Sequence, residues 1–132
     1  MQYKEEHLTL LEAVSAYLAA ESLMREPCAY ETAAALVLLR GRLRELADYY
    51  LEEERKLIAA YAAREADGAV KFSGTGFLFE DPARAQEYEE KRRALGGTEV
   101  DVSFEKIHAA PPERLTPAAL EALAPFIEFE AA

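Results

Sequence analysis

Apolar side chains recur at helical spacing through most of the first 64 residues. Over residues 7–25 the pattern predicts a first helix, which should end before Pro27 because the residue ahead of a proline avoids the helical region. Over residues 30–64 a longer pattern predicts a second helix of roughly 35 residues, about 50 Å long. Together the two segments predict a long helical hairpin.

A heptad pattern runs along the second predicted helix, and we call its members the heptad seam. They recur at intervals of three and four residues: Leu36, Leu39, Leu43, Leu46, Tyr50, Glu53 and Leu57. Such a repeat is typical of helices that pair along their length, and it predicts a homo-oligomer, most simply a two-fold dimer. Packing inside one chain is the alternative. The polar member, Glu53, should either meet an arginine of a partner helix or lie at the rim.

A small basic cluster surrounds Gly41, which marks either a close helix crossing or a tolerated glycine. Arg40 and Arg44 are four residues apart and share one helix face. Arginine side chains match the geometry of phosphate and carboxylate, so this pair predicts a site for a small anionic ligand. The alternative is that the two arginines pair with Glu45 and Asp48.

The chain after this hairpin carries turn signals and short alternating stretches. Asp67-Gly68 predicts the stop of the long helix. Residues 70–72 and 77–79 predict two short strands joined by a glycine turn, and residues 98–108 predict one longer strand with a buried and a wet face.

Two further helices are predicted by a capping residue followed by proline. Asp81-Pro82 opens one that runs to about Leu95, and Thr116-Pro117 opens a last one of little more than two turns. The apolar tail, residues 126–129, should dock on the core or on a partner. The prediction is a mostly helical α+β fold in one domain: a helical hairpin over residues 1–66, then a small antiparallel sheet with two short helices over residues 67–132.

The composition restricts the partners and the compartment. The formal net charge is −10 over 132 residues, which opposes binding to nucleic acid and to anionic membranes and favours a basic partner or simply a solvated surface. No stretch approaches the roughly 18 apolar residues of a membrane span, and the N-terminus lacks the apolar core of a signal peptide. The one cysteine, Cys28, fits a reducing cytoplasm.

The residues that carry most enzyme chemistry are sparse. The two histidines, His7 and His108, have no partner at ligand or catalytic spacing, and a structural or surface role is expected of His108. Cys28 has no local base, which predicts a buried, inert thiol. The glycine turn lacks the lysine of a phosphate-binding loop. We therefore expect no catalytic residues, no metal ligands and no cofactor, and an enzyme is not predicted.

Three stretches, taken in order, resemble a small bacteriophage and prophage protein family of unknown function. They are residues 43–61, with the sequence LRELADYYLEEERKLIAAY; residues 67–102, with the later phenylalanines, Tyr88-Glu89-Glu90 and Glu99-Val100-Asp101-Val102; and residues 106–123, with Lys106-Ile107 and Leu115-Thr116. The resemblance covers about residues 26–128. It implies a phage-encoded protein in the cytoplasm of an infected bacterium, and it brings no known active-site residue.

Two functions follow as hypotheses. The first is a non-enzymatic inhibitor of a bacterial antiviral defence, which binds a host effector protein or sequesters a nucleotide-like immune signal. The second is a virion or tail assembly factor of a helical, oligomeric type, which the heptad seam and the apolar tail support.

Overall fold

The computed structural model describes residues 4–74, 76–104 and 106–130. The elements follow one another in the order β1 (Lys4–Thr9), α1 (Leu10–Leu23), α2 (Tyr30–Tyr61), β2 (Phe72–Ser73), β3 (Gly76–Phe77), α3 (Pro82–Gly96), β4 (Glu99–Phe104), β5 (Ile107–Ala109), α4 (Pro117–Leu123) and β6 (Ile127–Phe129). The mostly helical α+β class is confirmed, with α2 as its longest element. At 1.5 Å per residue, its 32 residues span roughly 48 Å.

The strands of the described chain form two-stranded pairs. β1 lies antiparallel to β4, β2 and β3 form an antiparallel hairpin, and β5 lies parallel to β6. The hairpin agrees with the predicted glycine turn, where Gly74 adopts a φ of 63°. The parallel pair was not predicted, because its two strands lie on either side of α4.

The beginning of the first helix was predicted wrongly. The chain before Leu10 is a strand, and α1 begins only after Thr9. A capping box fixes this boundary: the Glu12 backbone N–H donates to the Thr9 hydroxyl at 3.2 Å, and the Thr9 N–H donates to the Glu12 carboxylate at 3.1 Å. The strand forms because β4 offers an antiparallel partner, with Leu8 opposite Val100.

The long helix ends three residues earlier than predicted. Its last residue is Tyr61, and Ala62 is already extended. The chain then pairs with the hairpin, since the Ala63 N–H donates to the Leu78 carbonyl at 2.8 Å. The turn predicted at Asp67-Gly68 is confirmed, with a φ of 91° at Gly68.

Both helices predicted from a cap and a proline are confirmed. The Asp81 carboxylate accepts from the Arg84 N–H at 2.9 Å and opens α3, and the Thr116 hydroxyl accepts from the Ala119 N–H at 3.1 Å and opens α4. α3 is also fastened to the end of α2, because the Arg84 guanidinium donates to the Ala60 carbonyl and lies 5.1 Å from the centre of the Tyr61 ring.

The single strand predicted for residues 98–108 is two strands with different partners. β4 pairs with β1, whereas β5 pairs with β6. The apolar tail was predicted to dock on the core or on a partner, and it docks on the core. Phe126 and Ile127 are almost fully buried, and the Phe126 ring meets Phe104 edge to face at 5.5 Å between centroids.

The core lies between α1, the first half of α2 and the chain after α3. Short side chains on α1 face long ones on α2, which allows the two helices to pack closely. The central buried residues are Leu8, Ala13, Ala16, Ala20, Leu23, Ala35, Leu36, Leu39, Leu43, Val102, Phe104, Ala109, Leu123, Phe126 and Ile127. A second cluster extends this core towards α3 and consists of Leu10, Val14, Ala47 and Tyr50.

Four members of the heptad seam are therefore buried within a single chain. Leu36, Leu39 and Leu43 are each 0% exposed in one chain, and Tyr50 is 4% exposed. These side chains meet α1 and the C-terminal half of the same chain, so the prediction that a second copy covers them is wrong at these positions. The pattern revealed the apolar face of α2 but carried no information on what covers it.

The remaining members of the seam are only partly covered. Leu46 is half-buried and packs against both clusters, and Leu57 is half-buried near the end of α2. Glu53 lies at the rim, where its carboxylate meets the Lys56 ammonium of the next turn at 3.3 Å. The rim alternative for Glu53 therefore describes this structure, and the arginine of a partner helix is not needed to explain it.

We expect Leu43→Ala to lower the free energy of unfolding by about 2–5 kcal/mol, because it opens a cavity at a fully buried position. Leu38→Ala is the matched control: Leu38 is 61% exposed on the opposite face of the same helix, and its truncation should cost about 0.5 kcal/mol or less. Urea denaturation followed by circular dichroism gives both values. Equal losses in the two variants would contradict the assignment of the inner face.

Candidate functional site

The two arginines proposed for an anion site lie on the side of α2. The Arg44 Nε is 3.9 Å from the Asp48 carboxylate, and the two side chains are 71% and 66% exposed. Arg40 is half-buried and has no hydrogen bond or ion pair with any described residue. The pairing alternative thus applies to Arg44 and Asp48, although an exposed pair of this kind contributes little to stability.

The side of α2 that points away from the core exposes a run of apolar and small residues. We call this the outer face and define it as Tyr30, Ala34, Val37, Leu38 and Gly41, which lie within about 100° of one another at 100° per residue. Tyr30 is 85% exposed, Leu38 61% and Val37 49%. Three large apolar side chains side by side on one helix are more than the scattered exposure normal for a surface.

Gly41 opens this face further. A Cβ atom added there would meet nothing within 4 Å, so the glycine does not serve a helix crossing within the described chain. Inside a helix, glycine costs about 1 kcal/mol relative to alanine. Because Gly41 has no side chain, it leaves room on this open apolar face for the close approach of another molecule.

A cleft of about 450 Å³ adjoins the outer face. Its lining combines Tyr30, Glu31, Ala34, Ala35 and Leu38 of α2 with Lys106, Ile107 and His108. The Thr32 hydroxyl holds the two sides together, since it donates to the Ala110 carbonyl at 2.7 Å. The cleft extends the apolar surface towards β5 and gives it charged groups at its edge.

A second cleft, of about 400 Å³, lies where α3 ends against the start of α1. Its lining is Thr9, Leu11, Tyr50, Glu89, Arg92, Arg93, Gly96 and Gly97. The two guanidinium groups of this lining, Arg92 and Arg93, share the cleft with the carboxylate of Glu89. This cleft could not be predicted from the sequence, because it joins residues from three separate helices.

A partly buried polar network supports the wall of the second cleft. The Arg92 Nε donates to the Glu54 carboxylate at 3.1 Å, with the glutamate side chain 22% exposed. That bond raises the pKa of the Arg92 guanidinium above its usual value. Burial raises the pKa of the Tyr50 phenol, and the Glu54 charge adds to it. Burial likewise raises the pKa of Tyr88.

The sequence singled out Cys28 and His108 for possible chemistry. Cys28 lines neither of the two clefts, and His108 lines the cleft beside the outer face. Cys28 is a free, half-buried thiol in the loop between α1 and α2, less enclosed than the inert buried thiol that the sequence predicted. His108 is exposed on β5, and the structural or surface role expected of it stays a prediction. The expectation that this chain is not an enzyme stays a prediction.

The chain was compared with known proteins. No family model, curated protein or solved structure matches it. Among the described helices, none combines the length and the apolar composition that a membrane span requires. The resemblance to the phage family rests on the sequence stretches alone and stays a prediction.

We expect the ionisation of the Tyr50 phenol to make the fold less stable at high pH. The fold favours the neutral phenol, so its contribution is fully present below an ordinary phenol pKa of about 10 and is lost as the pH rises through the raised folded value. The free energy of unfolding should therefore fall as the pH rises above about 10, and less steeply in Tyr50→Phe than in the wild type. Identical pH slopes for the two proteins would contradict the assignment.

Proposed function

We propose that this chain is a non-enzymatic, phage-encoded interaction protein that inhibits a bacterial antiviral defence by binding an effector protein. The observation that supports this function best is the outer face of α2, where Tyr30, Val37 and Leu38 are exposed beside an open cleft. Apolar patches of this kind, rimmed by polar residues, mark sites of protein association.

The chemistry of the outer face favours a protein over a small anion. Tyrosine is enriched among the residues that dominate binding energy at interfaces, and the cleft beside Tyr30 leaves room for a partner side chain. The alternative of a sequestered nucleotide-like signal was based on Arg40 and Arg44. It has less support, because Arg44 lies beside Asp48 and neither arginine lines the two clefts.

The charge along α2 defines the partner further. Beyond Gly41 the same side of the helix continues with the exposed acids Glu45, Asp48 and Glu52, of which Asp48 lies beside Arg44 and Glu52 binds Arg55. An apolar groove flanked by basic residues would match this arrangement, and the net charge of −10 would speed the encounter with a basic surface. The outer face extends about 18 Å along the helix. A typical stable interface buries roughly 800 Å² per partner, so the outer face would form only the centre of such an interface.

A homo-oligomer stays part of the proposal in a changed form. Since Leu36, Leu39 and Leu43 are buried in the chain itself, a second copy would have to bind another surface, and we propose the outer face for it. The virion or tail assembly factor is the alternative function, and the length of α2 together with its uncovered apolar side favours it. An assembly factor would be found in purified particles, or the particles would not form without it.

The test is rescue of infection. Bacterial strains that each carry one cloned antiviral system are infected with a phage that the system blocks, with and without this chain expressed from a plasmid. We expect the wild type to restore plaques in at least one strain. The double variant Val37→Glu, Leu38→Glu should not, because a charge buried at an interface without a partner is costly.

Leu51→Glu is the matched control. Leu51 is 43% exposed on the same helix, about 20 Å further along its axis, so its substitution should leave the rescue intact. Rescue by the double variant at the wild-type level would show that the outer face is not the binding surface. Absence of rescue in every strain by the folded, expressed wild type would contradict the inhibitor function.

A further inference from the structure

The parallel pair of β5 and β6 brings one histidine and two glutamates together. The His108 Nδ1 lies 2.6 Å from the Glu130 Oε1 and 3.6 Å from the Glu128 Oε2, and one donor atom from each of the three residues lies within 4.8 Å of the others. None of these residues belongs to a described ion pair outside this group. The cluster is separate from the outer face, although His108 also lines the cleft beside it.

The backbone fixes the positions of the three side chains. His108 is the register partner of Glu128, so both side chains leave the same side of the strand pair. Glu130 follows two residues later and returns to that side, and its N–H donates to the Ala109 carbonyl at 2.9 Å. The opposite side is fixed by burial, with Ala109 5% and Ile127 1% exposed. The fold therefore places the three residues on one side of the strand pair, where their side chains are 53–56% exposed.

A simple ion pair explains only half of this geometry. One Nδ1–H can donate to Glu130, but Glu128 then brings a second negative charge to the same nitrogen without a hydrogen bond of its own. Like charges this close repel each other, whereas a divalent cation among the three donors would attract both carboxylates. Two ionised carboxylates also balance the charge of such an ion.

We propose that His108, Glu128 and Glu130 bind a divalent transition-metal ion, with Zn²⁺ the first to test. Imidazole nitrogen and carboxylate oxygen are ligands that zinc accepts, and a site with three protein ligands keeps one position open. Donors about 2.0–2.1 Å from a tetrahedral zinc lie about 3.3 Å from one another, which small side-chain movements reach from the observed 2.6 and 3.6 Å. The ion would tie the C-terminal strand to β5. This inference does not rest on the proposed function.

The test is isothermal titration of Zn²⁺ into the full, untagged chain in a buffer that does not chelate metal. We expect one ion per chain. His108→Gln, Glu128→Gln and Glu130→Gln should each weaken binding by at least roughly tenfold. Zinc should also raise the melting temperature of the wild type and not that of the three variants, because an ion that binds only the folded chain stabilises it. Circular dichroism confirms that each variant is folded.

Two control variants separate a built site from general attraction to an acidic chain. His7→Gln removes the other histidine of the sequence, and Glu121→Gln removes one negative charge from an exposed position on α4. Both should bind zinc like the wild type. The proposal is overturned if the wild type binds no stoichiometric ion, if the three ligand variants bind as tightly as the wild type, or if the controls weaken binding equally.

Discussion

The packing of the inner face of α2 determines the rest of the fold. Leu36, Leu39 and Leu43 are fully buried, and they are covered first by the alanines of α1. Removing such side chains from water is the main favourable term in folding. However, α1 has 14 residues and α2 has 32, so one helix cannot cover the other. The length difference obliges the second half of the chain to return and cover what α1 leaves open.

The returning chain covers the two ends of α2 in different ways. At the first half, the strands β4 to β6 and the helix α4 complete an apolar core around Phe126 and Ile127. At the second half, α3 packs through polar and aromatic contacts, in which Arg92 binds Glu54 and Arg84 lies over Tyr61. All of these contacts use the inner side and the flanks of α2. These contacts leave the outer face around Leu38 uncovered, and this is why we propose it as the surface for a partner.

The sequence predicted the features that depend on neighbouring residues. A few adjacent residues determine each of these features, so they could be predicted: the caps at Asp81 and Thr116, the turn at Gly68 and the glycine hairpin. The apolar side of α2 was likewise readable from its period. A local pattern does not indicate which element packs against it. The apolar repeat of α2 therefore predicted a second subunit where the structure has α1.

The features that were missed all join distant parts of the chain. Residues 7–9 of β1 were assigned to a helix because their pairing partner, β4, lies roughly 90 residues further along the chain. Arg92 and Glu54 are 38 residues apart, and His108 and Glu130 are 22 residues apart. The proposed metal ligands were not predicted because parallel pairing, rather than spacing along one element, brings them together. The candidate sites were therefore less predictable than the individual helices and strands that carry them.

One side of α2 is buried in the core of this chain, and the other side is exposed. Thiol labelling in a Cys28→Ser background tests it directly, with single cysteines introduced as Leu43→Cys or Leu38→Cys. The account predicts that the native protein with Leu38→Cys reacts rapidly with iodoacetamide, whereas Leu43→Cys reacts only after denaturation. Rapid native labelling of a folded Leu43→Cys variant would contradict the account, because its inner face would then be open to solvent.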